Sequence, residues 1–322
     1  MKKLFCLLLA FLMLFSLAAC KKNDEATVRV WTLNGTTGFG MAPLMDKQSK
    51  GEAIGHYTFT TEKDATNVRD AILAEAADIA ALPTNVAAAL YHATNGGVRV
   101  LALNTLGVLY VVSTNGTAPT LTDLTGKTLY TPAQNPAFIT QALLEKASVA
   151  RVTLDSTTYA KPEELRDAVA GGLVEYAVLP EPMVTIAQSS AANQGKTVTV
   201  AVDMTAEWNK YFPHNSLVQG CVVVRTAFLN EHPEAVATFL KEYENSIRFL
   251  SENKDAAAQM IADAGIFAQI AVTKSALPRC NVKYIDGEEM KTALSAFLNE
   301  MPLAAIGGAL PADDFYYISH EK

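Results

Sequence analysis

The residues best equipped to grip a small molecule stand directly after short apolar runs. Asn34, Gly35, Thr36, Thr37 and Gly38 follow the run at 28–33. They offer a carboxamide, two hydroxyls and backbone N–H groups, and the glycines let backbone approach a ligand closely. Thr84 and Asn85 follow Pro83, where the run at 79–82 stops, and Asn135 lies in the loop 131–136 ahead of a helical pattern. Glu181 stands between Pro180 and Pro182 after the run at 176–179. A carboxylate there suits a cationic or amino-bearing ligand. Ligands of open α/β sheets lie outside the carboxyl ends of strands, so these positions form one candidate set. Each also has a structural reading. Thr36, Thr37, Thr84, Asn85 and Asn135 suit helix N-caps, and the two roles are compatible because a helix N-terminus attracts anions. Glu181 equally suits a salt bridge or a hinge contact. Trp31 and Tyr211, with Phe212, are the aromatics suited to stacking. Trp31 alternates with Arg29 and Leu33, so core burial fits it as well, and plain packing fits Tyr211.

Catalytic and metal chemistry finds no motif to work with. His56, His92, His214, His232 and His320 are scattered, with no H-E-x-x-H pair and no C-x-x-C. There is no G-x-S-x-G elbow and no P-loop, and Gly35, Gly38 and Gly40 depart from G-x-G-x-x-G. No catalytic residue, metal or cofactor is expected, and the absence of these motifs disfavours an enzyme.

The elements that position these residues alternate. Strand patterns fall at 28–33, 54–59, 79–82, 98–103, 108–112, 129–130, 152–154, 176–179 and 198–202, with helical patterns between many of them, as at 64–76, 86–91, 138–146 and 162–170. In the second strand Ile54, Tyr57 and Phe59 supply the apolar content. That spacing predicts right-handed βαβ units around a mostly parallel sheet. A strand at 218–225 follows, and then an almost wholly helical stretch. Its longest helix, at 233–253, carries a stripe of Val236, Phe239, Leu240, Tyr243, Ile247 and Leu250 close to 3.6 residues per turn.

Composition narrows the class of partner. The chain has 322 residues, 50% of them hydrophobic, and a formal charge of −7. That is enough for two ordinary domains or one large one, with a sizeable core. No basic stretch follows Lys22, so nucleic acid is not an expected partner. At the start, Lys2 and Lys3 precede an uncharged apolar run at 4–15, which is shorter than the roughly 20 residues a membrane span needs. Leu17-Ala18-Ala19-Cys20 then leads into Lys21, Lys22, Asn23, Asp24 and Glu25. This segment resembles a bacterial lipobox. The resemblance implies a signal peptide at 1–19, acylation of Cys20 (a palmitate-type anchor), a linker at 20–25 and tethering on the extracytoplasmic face of the cell membrane. Of the remaining cysteines, Cys6 leaves with the signal. Cys221 and Cys280 are a possible disulfide in an oxidising compartment, or two separate buried thiols.

The order of the later segments resembles the solute-binding lipoproteins of ABC importers, specifically the broad group that binds nitrate, taurine, alkanesulfonates and thiamine pyrimidines. Trp31-Thr32-Leu33-Asn34-Gly35-Thr36-Thr37-Gly38 looks like that group's first strand and ligand loop, and Ala80-Ala81-Leu82-Pro83-Thr84-Asn85 like a second. Asp123-Leu124-Thr125-Gly126-Lys127 resembles its D-L-x-G-K segment, and Val178-Leu179-Pro180-Glu181-Pro182 its E-P strand end. Gly220-Cys221-Val222-Val223-Val224, followed by His232-Pro233-Glu234-Ala235-Val236, is similar to the return strand and its helix. One departure is plain: many relatives carry a Gly-Ser-rich loop where this chain has Thr131-Pro132-Ala133-Gln134-Asn135-Pro136.

The resemblance implies a two-lobed, type II periplasmic-binding-protein-like α/β fold with two interlobe crossings. Lobe 1 would take 26–112 and 217–322, and lobe 2 would take 113–216. A monomer would close over a small molecule by hinge motion and deliver it to a permease and its ATPase, with Tyr211 near the return crossing. The scarcity of arginine near the ligand loops favours a neutral or heterocyclic solute, because arginine is suited to bidentate grip on anions. An extracytoplasmic sensor or adhesin would use the same fold.

Overall fold

The computed structural model describes residues 26–319. The expected signal peptide, Cys6 and the acylation at Cys20 lie outside the described residues, as does His320.

Two mixed sheets organise the chain. Strands β1 (Thr27–Leu33), β2 (His56–Glu62), β3 (Ile79–Pro83) and β4 (Val98–Leu106) belong to the first. β5 (Leu109–Ser113), β6 (Thr128–Tyr130), β7 (Thr153–Asp155), β8 (Tyr176–Pro180) and β9 (Thr199–Asp203) form the second. β10 (Val218–Arg225) and β11 (Val282–Asp286) return to the first, giving the orders β11-β4-β10-β3-β1-β2 and β7-β6-β8-β5-β9.

The expected mostly parallel pairing holds only in part. β1 runs parallel to β2 and β3, and β6 parallel to β7 and β8. β10 is antiparallel to β3 and β4, β11 to β4, and β5 to β8 and β9. The reason is the route of the chain. β5 and β10 enter their sheets from the other half of the molecule and not by a crossover helix, so nothing imposes the parallel sense. Ile54 also departs from expectation: it precedes β2 and is exposed. β11 interrupts the stretch expected to be helical.

The change of sheet falls at Gly107 and Val108, earlier than the expected 112/113 boundary. The break itself is marked by Asn104, Thr105 and Gly107 between the two buried strands, but hydropathy does not say which sheet β5 joins. The return passes through 212–217, after the helix Met204–Tyr211. Among the described residues no helix is long and apolar enough to cross a membrane.

Packing follows the expected stripe. In the helix Pro233–Glu252, with proline in its first turn, Val236, Phe239, Tyr243 and Ile247 are buried against Val28, Val30, Val222 and Val224 of the first sheet. A second core joins the halves. Trp208 stacks on Phe212 at 4.0 Å between ring centroids and lies 5.7 Å from Phe297. At the opposite end of the first sheet from the candidate site, Asp78 is buried between two arginines. Its Oδ2 accepts from the Arg29 N–H and Nε at 3.0 and 2.8 Å, and its Oδ1 from Arg29 Nη2 at 2.6 Å and Arg225 Nη2 at 3.0 Å. One carboxylate thus ties β1 and β3 to β10.

Cys221 and Cys280 form no disulfide. Both thiols are free, and they sit in different hydrophobic clusters, Cys221 in central strand β10 and Cys280 after the turn Leu277–Arg279. Burial pushes both thiols up from their ordinary value, and buried thiols are inert. Both are expected to resist iodoacetamide in the folded protein and to react fully in denaturant, as read by peptide mass spectrometry. Rapid native labelling of either would contradict this packing.

Candidate functional site

The first ligand loop is built on glycine geometry. Gly35 adopts φ +86° and ψ −161°, a region essentially reserved for glycine, and it is the N-cap of the four-residue helix Thr36–Phe39. No side chain caps that helix, so neither Thr36 nor Thr37 plays the capping role open to them; both are half-buried. Asn34 is exposed and its N–H donates to the Glu62 carbonyl at 2.8 Å. Asn104 supports the loop from beneath, its Nδ2 donating to the Thr37 carbonyl at 3.1 Å. Nothing local in the sequence marks Asn104 for that role.

Gly38 is required by space. A Cβ there would lie 1.8 Å from the Leu33 carbonyl oxygen, a backbone atom that cannot swing aside. Gly38→Ala is therefore expected to shift the loop and to lower stability by about 1–3 kcal/mol, the usual range for overpacking. Urea denaturation measures this, and an unchanged midpoint would show that the loop does not pack this way.

The other strand-end residues divide between structure and availability. Thr84 is fully buried, and its Oγ1 donates to the Val218 carbonyl at 3.0 Å, joining the end of β3 to β10. Asn85, beside it in the first turn of the helix Thr84–Ala93, is 5% exposed, and its Oδ1 is buried without a hydrogen-bond partner. Asn135 opens the helix Asn135–Lys146, is 8% exposed, and has the same unpaired Oδ1. The residue before it, Gln134, takes φ +63° and ψ −128°, a glycine-type conformation held by a glutamine. The loop that departs in sequence from the Gly-Ser-rich pattern thus keeps a backbone suited to glycine.

Glu181 does not stand free. It is 1% exposed, and its carboxylate pairs with the Arg279 guanidinium. Thr185 contributes its N–H and Oγ1 to Glu181 Oε2 at 3.2 and 2.9 Å, and Arg279 Nη2 donates to Thr185 Oγ1 at 3.0 Å. The bond spans the halves: Glu181 follows β8 of the second sheet, and Arg279 ends the turn before β11 of the first. Around it, the Tyr110 hydroxyl donates to the Arg279 carbonyl at 3.2 Å, and Asn281 Nδ2 donates to the Gly107 carbonyl at the crossing. Burial pushes the Tyr110 phenol up, so it stays protonated and able to donate. The structural reading of Glu181 is the one the geometry displays. Sequence reasoning missed Arg279 entirely, because its partner lies 98 residues away.

The aromatics also show their packing roles. Trp31 and Tyr211 are half-buried and pack against the core cluster shared by both halves, and the Lys210 ammonium sits 4.7 Å from the Tyr211 ring centroid. Among the described residues no group of three or more His, Cys, Asp or Glu is placed to hold a metal ion.

Asn34–Gly38, Asn85 and Asn135 therefore stand at carboxyl ends of parallel-paired strands in the two sheets, with the Glu181–Arg279 pair tying the halves. No protein-family model matches the chain, and no curated protein matches it. Solved structures do. An ABC transporter protein from Parabacteroides distasonis is 21% identical, with a TM-score of 0.76 over 92% of this chain and 99% of that one. The zinc-bound ligand-binding component of an ABC-type import system from Staphylococcus aureus is 12% identical, with a TM-score of 0.70 over 91% and 97%. The alkanesulfonate-binding protein SsuA from Xanthomonas axonopodis pv. citri, bound to MOPS, is 13% identical, with a TM-score of 0.63 over 89% and 95%. The chain accordingly has the two-lobed α/β fold of the periplasmic binding proteins of ABC transporters, as its segment order implied.

Proposed function

We propose that this protein is the solute-binding component of an ABC importer, held to the extracytoplasmic face of the membrane by a lipid on Cys20. The first sheet and its helices form one lobe and the second sheet and its helices the other. A small neutral or heterocyclic solute is captured between them as the lobes close, and the monomer hands it to the permease and its ATPase without chemical change. One observation carries this reading. Asn34–Gly38 and Asn85 follow parallel-paired strands of the first sheet and Asn135 follows one of the second, the strand ends at which α/β sheets bind ligands.

A thermal-shift screen of the purified protein tests it, using nucleobases, thiamine precursors, sulfonates, nitrate, amines and amino acids. A ligand at 100 times its Kd adds about 2.7 kcal/mol, which raises the midpoint by several degrees in a protein of this size. A selective shift supports capture. Silence from folded protein shown to carry no copurified ligand would count against it.

A further inference from the structure

We infer that Asn34, in the first ligand loop, is a site of spontaneous covalent modification. In the folded protein it converts through a succinimide to isoaspartate and aspartate, while the chain's other two Asn-Gly pairs are protected.

Asn34, Asn95 and Asn115 each precede a glycine. Glycine favours this change because it has no side chain to obstruct its own amide nitrogen. The ring closes only when two groups are free: the asparagine carboxamide, which is attacked, and the glycine N–H, which attacks. Sequence makes the three pairs alike, and folding separates them.

At Asn95 the attacking group is occupied. The Gly96 N–H donates to the Tyr91 carbonyl at 2.9 Å, at the end of the helix Thr84–Ala93. At Asn115 the carboxamide is held on both sides. Its Nδ2 donates to Glu175 Oε1 at 2.7 Å and to the Tyr176 hydroxyl at 3.0 Å. Its Oδ1 accepts from Ser113 Oγ at 2.6 Å and from the Thr117 N–H and Oγ1 at 3.0 and 2.6 Å. At Asn34 neither restraint exists. Among the described residues its exposed side chain has no hydrogen-bond partner, and the Gly35 N–H has no acceptor. A Cβ on Gly35 would meet no heavy atom within 4 Å, so the ring has room to form.

The Gly35 nitrogen gives up its proton to solvent base and bonds to Asn34 Cγ, and the carboxamide nitrogen leaves as ammonia. Water then opens the ring. Cleavage at Cγ restores the ordinary backbone with an aspartate. Cleavage at the main-chain carbonyl carbon leaves the chain running through Cγ, as isoaspartate. The net change is amide plus water to acid plus ammonia. Both products place a negative charge in the loop. Isoaspartate also adds a backbone carbon to a loop whose return is fixed where Gly38 fits against the Leu33 carbonyl.

Peptide mass mapping of the purified protein, incubated warm in mildly alkaline buffer, tests this. Asn34 is expected to gain the mass of amide-to-acid exchange, and the protein to yield a more acidic species on anion exchange. Asn95 and Asn115 should convert at least roughly tenfold more slowly, because hydrogen bonds must open first. In guanidinium chloride the three rates should converge. Asn34→Gln, whose longer side chain closes a ring reluctantly, should keep the parent Tm and lose the acidic species. Asn95 or Asn115 converting as fast as Asn34 in the folded protein would overturn the inference. So would an Asn34 that reacts in guanidinium chloride but not in the native state. The readout needs no ligand and is independent of solute capture.

Discussion

Asp78→Ala is expected to cost about 3–5 kcal/mol of stability, the range for removing one partner of a buried ion pair. Asp78 has almost no exposed surface, and Arg225 is largely buried beside it. Without the carboxylate, the Arg225 guanidinium keeps the Ala77 carbonyl, to which Nε donates at 3.1 Å, and Glu75, whose side chain is exposed. Neither replaces a buried counter-ion. The loss also parts β3 from β1 and β10 at the end where their backbone bonds alone would hold them. Glu75→Ala is the control, because an exposed ion pair contributes only about 0–1 kcal/mol.

The same residue gives the effect a pH signature. Burial pushes the Asp78 carboxyl up, but hydrogen bonds from the Arg29 side chain and backbone and from Arg225 outweigh it and hold the group below its ordinary value. A carboxyl lowered on folding stabilises the protein above its unfolded value of about 3.9, and that contribution is lost as pH falls through the folded value. Parent and variant should therefore differ fully above about pH 5 and converge progressively below about pH 4. Urea melts across pH read both features. A difference that persisted unchanged in acid would show that Asp78 acts through packing and not through its charge.

Much of the fold is legible because its signals are local. The stripe from Val236 to Leu250 needs one helix to bury it, and Cys221 to Val224 reads as a strand covered on both faces. The sense of β10 is not local, because it depends on where the chain comes from. β11, Val282 to Asp286, carries Lys283 and Asp286 and has no fully buried residue, so no apolar run marks it among the helices. The same division holds at the site. Gly35, Gly38, Asn85 and Asn135 can be found from sequence because strand-end polar residues have a fixed place in α/β sheets. Arg279 lies in a proline-containing turn with no apolar period around it, and only the folded chain brings it to Glu181.

Arg279→Ala should affect both stability and the balance between open and closed lobes. It strands the Glu181 carboxylate, wholly buried, with only the Thr185 N–H and hydroxyl for partners. Breaking a buried pair costs about 3–5 kcal/mol. The Arg279 side chain is 37% exposed, so the pair is partly screened, and the lower end of that range is expected. Replacing both partners with apolar groups removes the stranded charge, so Glu181→Leu with Arg279→Met should recover most of the loss. The cycle formed with the single variants measures the coupling directly. A merely local ion pair would stop there. This one joins the two halves beside the Gly107 crossing, so its loss should also let the unliganded lobes spread and raise the radius of gyration in small-angle scattering, in the single and the double variant alike. Recovered stability with a larger radius would identify the pair as a tie between lobes. Recovered stability with an unchanged radius would confine it to packing at the hinge.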